Sequence, residues 1–192
     1  MGTDRFDNLD KKSYQAVRSE IKTGDILFCK GNYGISKIIR EVSGSDFSHV
    51  AFVFPWNDRI LVLESVEDDG VRAVPLSHYL SNYENSGKRY NGSLYLARVK
   101  KTIDENLVKT MLGRAADLLN RKYDKEEIFR IAVRVATGFG RSKANDDYIC
   151  SEFVDDCYQK IGITFQRDGK GFIFPEHIAA DHQVDPLCEV TP

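Results

Sequence analysis

The first half of the chain carries short apolar runs separated by glycine, proline and charged residues, a pattern typical of β-strands. Two of these runs flank a Pro-Trp-Asn-Asp sequence, which predicts a short turn and an antiparallel pair of strands. The pattern predicts strands within 21–29 and at 48–54, 60–66, 71–74 and 93–99, with the turn at 55–59.

Apolar residues in the second half recur at intervals of three and four, which is the spacing of amphipathic helices. One such face follows residue 101, a second covers 128–135, and a third begins at Cys150 and ends at Gly162. An earlier segment has the same spacing at Ile35, Ile38, Ile39 and Val42. The tail returns to short pieces at 172–174, a helical turn at 175–180 and an apolar piece near the end.

Strands followed by helices predict an α+β fold in which one central antiparallel sheet packs against helices. The chain has 192 residues and no repeat or internal linker, so we expect a single domain over 21–192 behind a polar N-terminal arm at 1–20. A domain of this size buries roughly 70% of the surface that its unfolded chain exposes.

Composition excludes several classes of protein. Hydrophobic residues make up 42% and charged residues 29%, as in globular proteins rather than disordered chains. Lys and Arg number 27 against 29 Asp and Glu, so no basic field favours nucleic acid. No apolar run approaches the ~18 residues of a transmembrane helix, and no signal-peptide core is visible. We expect a cytoplasmic protein, although a chain with a trimmed leader would have the same sequence.

The four cysteines indicate free thiols in a reducing compartment. No CxxC motif or tight cluster is present, which argues against a zinc knuckle or a redox pair. Cys150 and Cys157 lie seven residues apart on a predicted helix, about 10 Å along its axis and too far for a disulfide.

The histidines do not predict a metal site either. His177 and His182 lack the i, i+4 spacing that puts two ligands on one helix face. We therefore expect neither a metal nor another cofactor.

Two segments carry candidate chemistry, FSHVAFVF with His49 at the start of a strand and DDYICSEFVDDC with Cys150 at the start of a helix. A helix N-terminus favours a thiolate, and a nearby histidine can hold the proton. The alternative is structural: Cys150 would be a small buried apolar residue and His49 a hydrogen-bonded histidine at a sheet edge.

Glu64 is the candidate third group because it lies in the otherwise apolar segment LVLES. With a turn at 55–59, His49 lies opposite Ser65 or, with a one-residue bulge, opposite Glu64. A buried carboxylate needs a partner, and His49 is the nearest candidate. Alternatively, Glu64 ends at the rim of the sheet in water.

The segments GDILF, FSHVAFV, VLESV and YICSEFV, in this order, resemble the permuted NlpC/P60 group of papain-like cysteine hydrolases, in its YiiX/YaeF-like branch. The resemblance implies a circularly permuted papain-like fold in which the histidine precedes the cysteine. It implies that Cys150 is the nucleophile, His49 the general base and acid, and Glu64 the group that orients the imidazole. It also implies that the backbone N–H of Cys150 helps to form an oxyanion hole, and that Tyr148 lines the substrate cleft.

The resulting hypothesis is a cysteine amidase or peptidase that cleaves a small peptide or amino-acid amide, such as a cell-wall-derived fragment, through a thioester. One alternative is a lipid-directed thiol acyltransferase or hydrolase, with Ile35, Ile38 and Ile39 supplying apolar groups near the cleft. A second alternative is a non-catalytic ligand-binding module of the same fold. An intact set of Cys150, His49 and Glu64 argues against the second alternative, because binding alone needs no nucleophile.

Overall fold

One seven-stranded sheet organises the computed structural model, which describes residues 2–31, 46–122 and 149–192. The order is β1-β7-β6-β2-β3-β4-β5, and every neighbouring pair is antiparallel except β1 and β7, which are parallel. The predicted α+β fold with a central sheet is confirmed. The parallel pairing of β1 with β7 makes the described sheet mixed rather than purely antiparallel. The strands are β1 Lys11–Ser13, β2 Asp25–Gly31, β3 His49–Trp56, β4 Arg59–Val66, β5 Gly70–Pro75, β6 Gly92–Val99 and β7 Val184–Thr191.

Five described helices accompany the sheet. The longest begins after Asp104, whose carboxylate accepts hydrogen bonds of 2.9 Å from the N–H groups of Asn106 and Leu107. In the described ranges, no helix is both long and apolar enough to cross a bilayer. The helices are α1 Tyr14–Val17, α2 Leu76–Ser81, α3 Glu105–Leu118, α4 Cys150–Gln159 and α5 Pro175–Ala180, with 3-10 turns at Thr3–Phe6 and Tyr83–Asn85.

The sheet is apolar on both faces and separates two cores. Alternate residues of β3 point to opposite faces, Val50 and Phe52 into one core and Ala51 and Val53 into the other. The larger core packs α3, α4 and α5 against the sheet, and the smaller one holds α1 and α2. This double burial explains why the central strands are nearly continuous apolar runs.

The residues before position 21 pack onto this sheet. Phe6, which is 2% exposed, inserts its ring edge-on against Phe28 and Phe47 at centroid distances of 5.1 and 5.0 Å. Thr3 donates its hydroxyl to the buried carboxylate of Glu176 at 2.8 Å. The segment predicted to be an arm therefore contributes apolar contacts, polar contacts and the edge strand β1.

The predicted strand positions agree with β2 to β6 within a few residues, but the predicted turn at 55–59 is wrong. The strands continue to Trp56 and resume at Arg59, leaving a two-residue turn with Asn57 in the left-handed region at φ 51°. Asparagine tolerates this conformation, which allows so tight a turn. The register consequently differs by one residue, and Phe54 lies opposite Leu61.

Two short elements were not predicted, and two predicted helices cannot be compared. The helix α2 has six residues, and β1 has three residues that pair with a strand about 180 positions away. Local patterns carry little signal for elements so short. The helices predicted near 35–42 and 128–135 lie outside the described residues.

Gly70 gives a test of the turn between β4 and β5. It has φ +68°, and an added Cβ would lie 2.0 Å from the carbonyl oxygen of Arg121. We expect Gly70→Ala to lower the free energy of unfolding by about 3 kcal/mol, because conformational strain and displacement of the backbone add. Urea denaturation measures this change.

Gly87→Ala is the matched control. Gly87 has φ +70°, but no described atom lies within 4 Å of the added Cβ, so only the conformational cost of about 1 kcal/mol applies. Equal losses in the two variants would contradict the close contact at Gly70.

Candidate active site

Cys150 is the first residue of α4 and is 1% exposed. Two contacts fix the start of this helix. The carboxylate of Glu152 accepts a hydrogen bond of 3.3 Å from the Ile149 N–H, and the Ser151 hydroxyl donates to the carbonyl of Ile173 at 2.8 Å. The first N–H groups of a helix have no acceptor within it, so the thiol of Cys150 lies at the positive end of the α4 dipole.

His49 is the first residue of β3, and its side chain is 16% exposed. Its Nε2 lies 2.9 Å from Oε2 of Glu64, and Cys150 is close enough to interact with the imidazole and raise its pKa. The structure therefore brings together the three residues that the sequence singled out, from the starts of a strand and a helix and from the interior of a second strand.

Glu64 is fully buried on β4 and has three hydrogen-bond donors. His49 Nε2 and the Tyr79 hydroxyl contact Oε2, while Nε of Arg72 donates to Oε1 at 2.9 Å. Burial acts to raise the pKa of Glu64, but His49, Arg72 and Tyr79 outweigh it and hold the pKa below its ordinary value of 4.5. The carboxylate is therefore charged at neutral pH.

The charge of His49 follows from these neighbours. Burial acts to lower its pKa, but the interactions of the imidazole with Cys150 and with the Glu64 carboxylate raise the pKa from 6.5 to about 10. The imidazole is therefore protonated at neutral pH. It lies between a thiol at a helix start and a buried carboxylate, an arrangement that suits the transfer of one proton to a reacting atom.

His49 and Glu64 meet through a register that differs from the predicted one. Phe52 pairs with Leu63, and continuing this pairing places Ala51 opposite Glu64. His49 and Glu64 are thus diagonal neighbours on one face of the sheet, rather than directly opposite with a bulge. Diagonal Cα atoms lie about 7–8 Å apart, a gap that two long side chains can span.

Arg72 and Tyr79 were missed by the sequence analysis, although each left a signal. A turn at Glu67–Asp69 predicts the observed pairing of Glu64 with Arg72 across β4 and β5. The apolar residues after Pro75 have helical spacing, which would have placed Tyr79 on α2.

The other candidate residues do not join the site. Tyr148 lies outside the described residues, as do Ile35, Ile38 and Ile39. His177 accepts a hydrogen bond of 3.0 Å from the Phe174 N–H, while His182 is exposed. Across the described ranges, no group of three or more His, Cys, Asp or Glu side chains is placed to hold a metal ion.

The remaining cysteines are free and buried, as is Cys150. Burial raises the pKa of Cys29 well above its ordinary value, and the nearby charges of Glu64 and Cys150 raise it further. Burial likewise raises the pKa of Cys157, seven residues after Cys150 on the same helix. The thiols of Cys29 and Cys157 are therefore held neutral at neutral pH.

Comparison with known proteins identifies a family and related solved structures. The model of a family described as permuted papain-like amidases, YaeF/YiiX, C92, matches residues 20–184. The crystal structure of the metalloprotein yiiX from Escherichia coli O157:H7 superposes with a TM-score of 0.67 at 19% identity, over 90% of this chain and 99% of that chain. No curated protein matches the sequence significantly. At this identity, the structural likeness shows a shared fold.

The raised pKa of His49 makes stability depend on pH. A group whose pKa rises on folding stabilises the protein fully below its unfolded value and loses that contribution as pH rises through the folded value. The window for His49 runs from 6.5 to about 10. We expect the free energy of unfolding of the wild type, relative to His49→Gln, to decline across this window in urea titrations. A difference that stays constant from pH 6 to 10 would contradict a charged His49.

Proposed function

The chain belongs to the family of permuted papain-like amidases, and from this premise we propose that it is a cysteine amidase or peptidase with Cys150, His49 and Glu64 as its catalytic triad. The observation that carries the proposal is the position of His49, whose Nε2 lies 2.9 Å from the buried carboxylate of Glu64 and whose imidazole interacts with Cys150, the first residue of α4. This geometry matches a nucleophile, a general acid–base and an orienting group.

The proposed reaction begins with attack by the Cys150 thiolate on the carbonyl carbon of an amide. A C–S bond forms, and the carbonyl oxygen takes the negative charge. The proposed donor to that oxygen is the backbone N–H of Cys150, since the first N–H groups of a helix have no acceptor within it. His49 enters this step already protonated, so no proton has to leave the thiol first.

Cleavage of the amide then needs a proton on the leaving nitrogen. His49 gives up its proton as the C–N bond breaks, which releases an amine and leaves an acyl thioester on Cys150. The neutral imidazole next takes a proton from water, whose oxygen attacks the thioester. The C–S bond breaks, the acid leaves, and the thiolate and the imidazolium are restored.

Glu64 serves this cycle by orienting the imidazole. Because Nε2 of His49 is hydrogen-bonded to Glu64, Nδ1 is the nitrogen left to exchange a proton with the substrate and with Cys150. The carboxylate also stabilises the charged form of the ring each time it is restored.

A small peptide or amino-acid amide, such as a cell-wall-derived fragment, is the proposed substrate, consistent with the amidase description of the family. The lipid alternative depends on apolar groups at Ile35, Ile38 and Ile39, and these residues lie outside the described ranges. A reducing compartment such as the cytoplasm is the proposed location, because the nucleophile must stay a thiol.

The reactivity of Cys150 tests the proposed pair of a Cys150 thiolate and a His49 imidazolium, and this test needs no known substrate. At pH ~6 we expect iodoacetamide to alkylate Cys150 rapidly in the wild type and slowly in His49→Ala, with labelling read by peptide mass spectrometry. Cys157 is the internal control, since its neutral buried thiol should stay unlabelled in both. Slow labelling of Cys150 in both proteins, rising only above pH ~8, would overturn the hydrolase proposal.

A panel of substrates tests whether Cys150 takes its acyl group from an amide or from a lipid. We expect a set of short peptide and amino-acid amides to include at least one that is hydrolysed, and Cys150→Ala to lose about 1,000-fold or more of the rate. Cys157→Ala, on the same helix but away from His49, should keep the wild-type rate. Acyl transfer from phospholipid vesicles without turnover of any amide would favour the lipid alternative instead.

A further inference from the structure

Arg72 joins the buried carboxylate of the site to two carboxylates at the surface. It lies on β5 directly across from Glu64 and donates from Nε to Oε1 of that residue at 2.9 Å. The outer nitrogens face the other way, Nη1 toward Asp69 at 2.5 Å and Nη2 toward Glu84 at 2.6 Å. The Arg72 side chain is 16% exposed, whereas those of Asp69 and Glu84 are 58% and 47% exposed. The guanidinium therefore spans the boundary between interior and solvent.

The backbone conformation at Glu84 positions its carboxylate against the outer side of the Arg72 guanidinium. Glu84 and Asn85 have φ values of 50° and 56°, both in the left-handed region. That region is uncommon for glutamate, which lacks the local hydrogen bonds that let asparagine adopt it. The turn brings the carboxylate of Glu84 within reach of both Nη atoms of Arg72, at 2.6 and 3.4 Å.

Arg72 also contributes its positive charge to the buried group of charges formed by Glu64 and His49. The groups that face His49 are Cys150 from α4, Glu64 from β4 and the neutral thiol of Cys29 from β2, whose Cα pairs with that of His49. Glu64 is faced in turn by Arg72 and by the neutral hydroxyl of Tyr79. Arg72 is thus the second cation of the cluster, and it shares the field of Glu64 with the imidazolium.

We propose that Arg72 is a positioning residue of the amidase reaction, which fixes the Glu64 carboxylate and offsets its charge so that His49 can release its proton to the leaving amine. The inference rests on the proposed function, because it assigns a role within the same proton transfer. With Arg72 absent, the undivided field of Glu64 would hold the proton on the imidazole more tightly. With Arg72 present, the ring stays charged but remains able to act as an acid.

The titration of His49 measures this effect directly. The titration is followed by NMR of the imidazole in a Cys150→Ser background, which removes the interaction of His49 with the sulfur. In that background we expect the pKa of His49 to lie below the wild-type value of about 10. There we expect Arg72→Gln to raise the pH of half-titration by about half to one unit, because the pair of Glu64 and His49 loses its second cation. Arg72→Lys should return most of that shift, since it keeps the charge. His49→Gln identifies the signal among the four histidines.

A variant of the outer partner predicts the opposite sign. Glu84→Gln removes a negative charge that competes for Arg72, so the half-titration of His49 should fall by about a few tenths of a unit, the small size reflecting solvent screening. A merely structural loosening of the network would move both variants in the same direction. Opposite shifts therefore report charge rather than packing.

Arg98→Gln is the matched control. Arg98 also binds a buried carboxylate, donating to Asp25 from Nε at 2.6 Å and from Nη2 at 2.7 Å, at the opposite end of β2 from the site. Its loss should leave the titration of His49 unchanged. In kinetics on an amide substrate, Arg72→Gln should lower kcat about tenfold and move the alkaline limb of kcat/KM upward, whereas Arg98→Gln should do neither.

Each outcome separates this inference from the proposed function. Rapid, His49-dependent labelling of Cys150 in the wild type, with no upward shift in a folded Arg72→Gln variant, would overturn the role of Arg72 alone. If Arg72→Gln does not fold, a downward shift in Glu84→Gln supports the role and an unchanged or upward shift overturns it. Labelling of Cys150 that does not depend on His49 would overturn the proposed function itself.

Discussion

A carboxylate inside an apolar sheet must find hydrogen-bond donors, and Glu64 finds them on three different elements. His49 comes from β3, Arg72 from β5 and Tyr79 from α2, so the position of each element is tied to one buried charge. If any donor were lost, the free-energy cost of burying Glu64 would rise. The carboxylate that orients the imidazole of His49 would also be held less firmly in position. The order of the central strands therefore also determines which donors reach Glu64.

The site forms at the start of β3 and draws side chains from both sides of the sheet. The larger core carries α4, whose first residue is the thiol, while the smaller core carries α2 and the hydroxyl that contacts Glu64. His49 starts β3 and contacts groups from both sides. The strand start thus lets one ring connect a helix on one face with a carboxylate shared by elements of the other.

Much of this arrangement was predictable from the sequence because its signals are local. Apolar runs marked the strands, and a charge inside such a run singled out Glu64. Arg72 and Tyr79 left only weak signals, namely the turn at Glu67–Asp69 that sets the register of Glu64 with Arg72, and the helical spacing of a few apolar residues after Pro75. The contact between His49 and Glu64 was anticipated with the wrong register, because a tight turn at Asn57 shifts the pairing by one residue. The catalytic roles of these residues stay predictions.

The parallel edge strand bears on the order in which the protein folds. β1 and β7 place Lys11 beside Glu189 and Ser13 beside Thr191, so their pairing closes a loop of almost the whole chain. Closing long loops costs more entropy than joining neighbours, and contacts distant in sequence form slowly. The hairpin of β3 and β4, which holds His49 and Glu64, has a turn of two residues and can form at once. His49 and Glu64 would then be aligned early in folding, before α4 packs onto the sheet and brings Cys150 to them. The pairing of β1 with β7 would form last and break first.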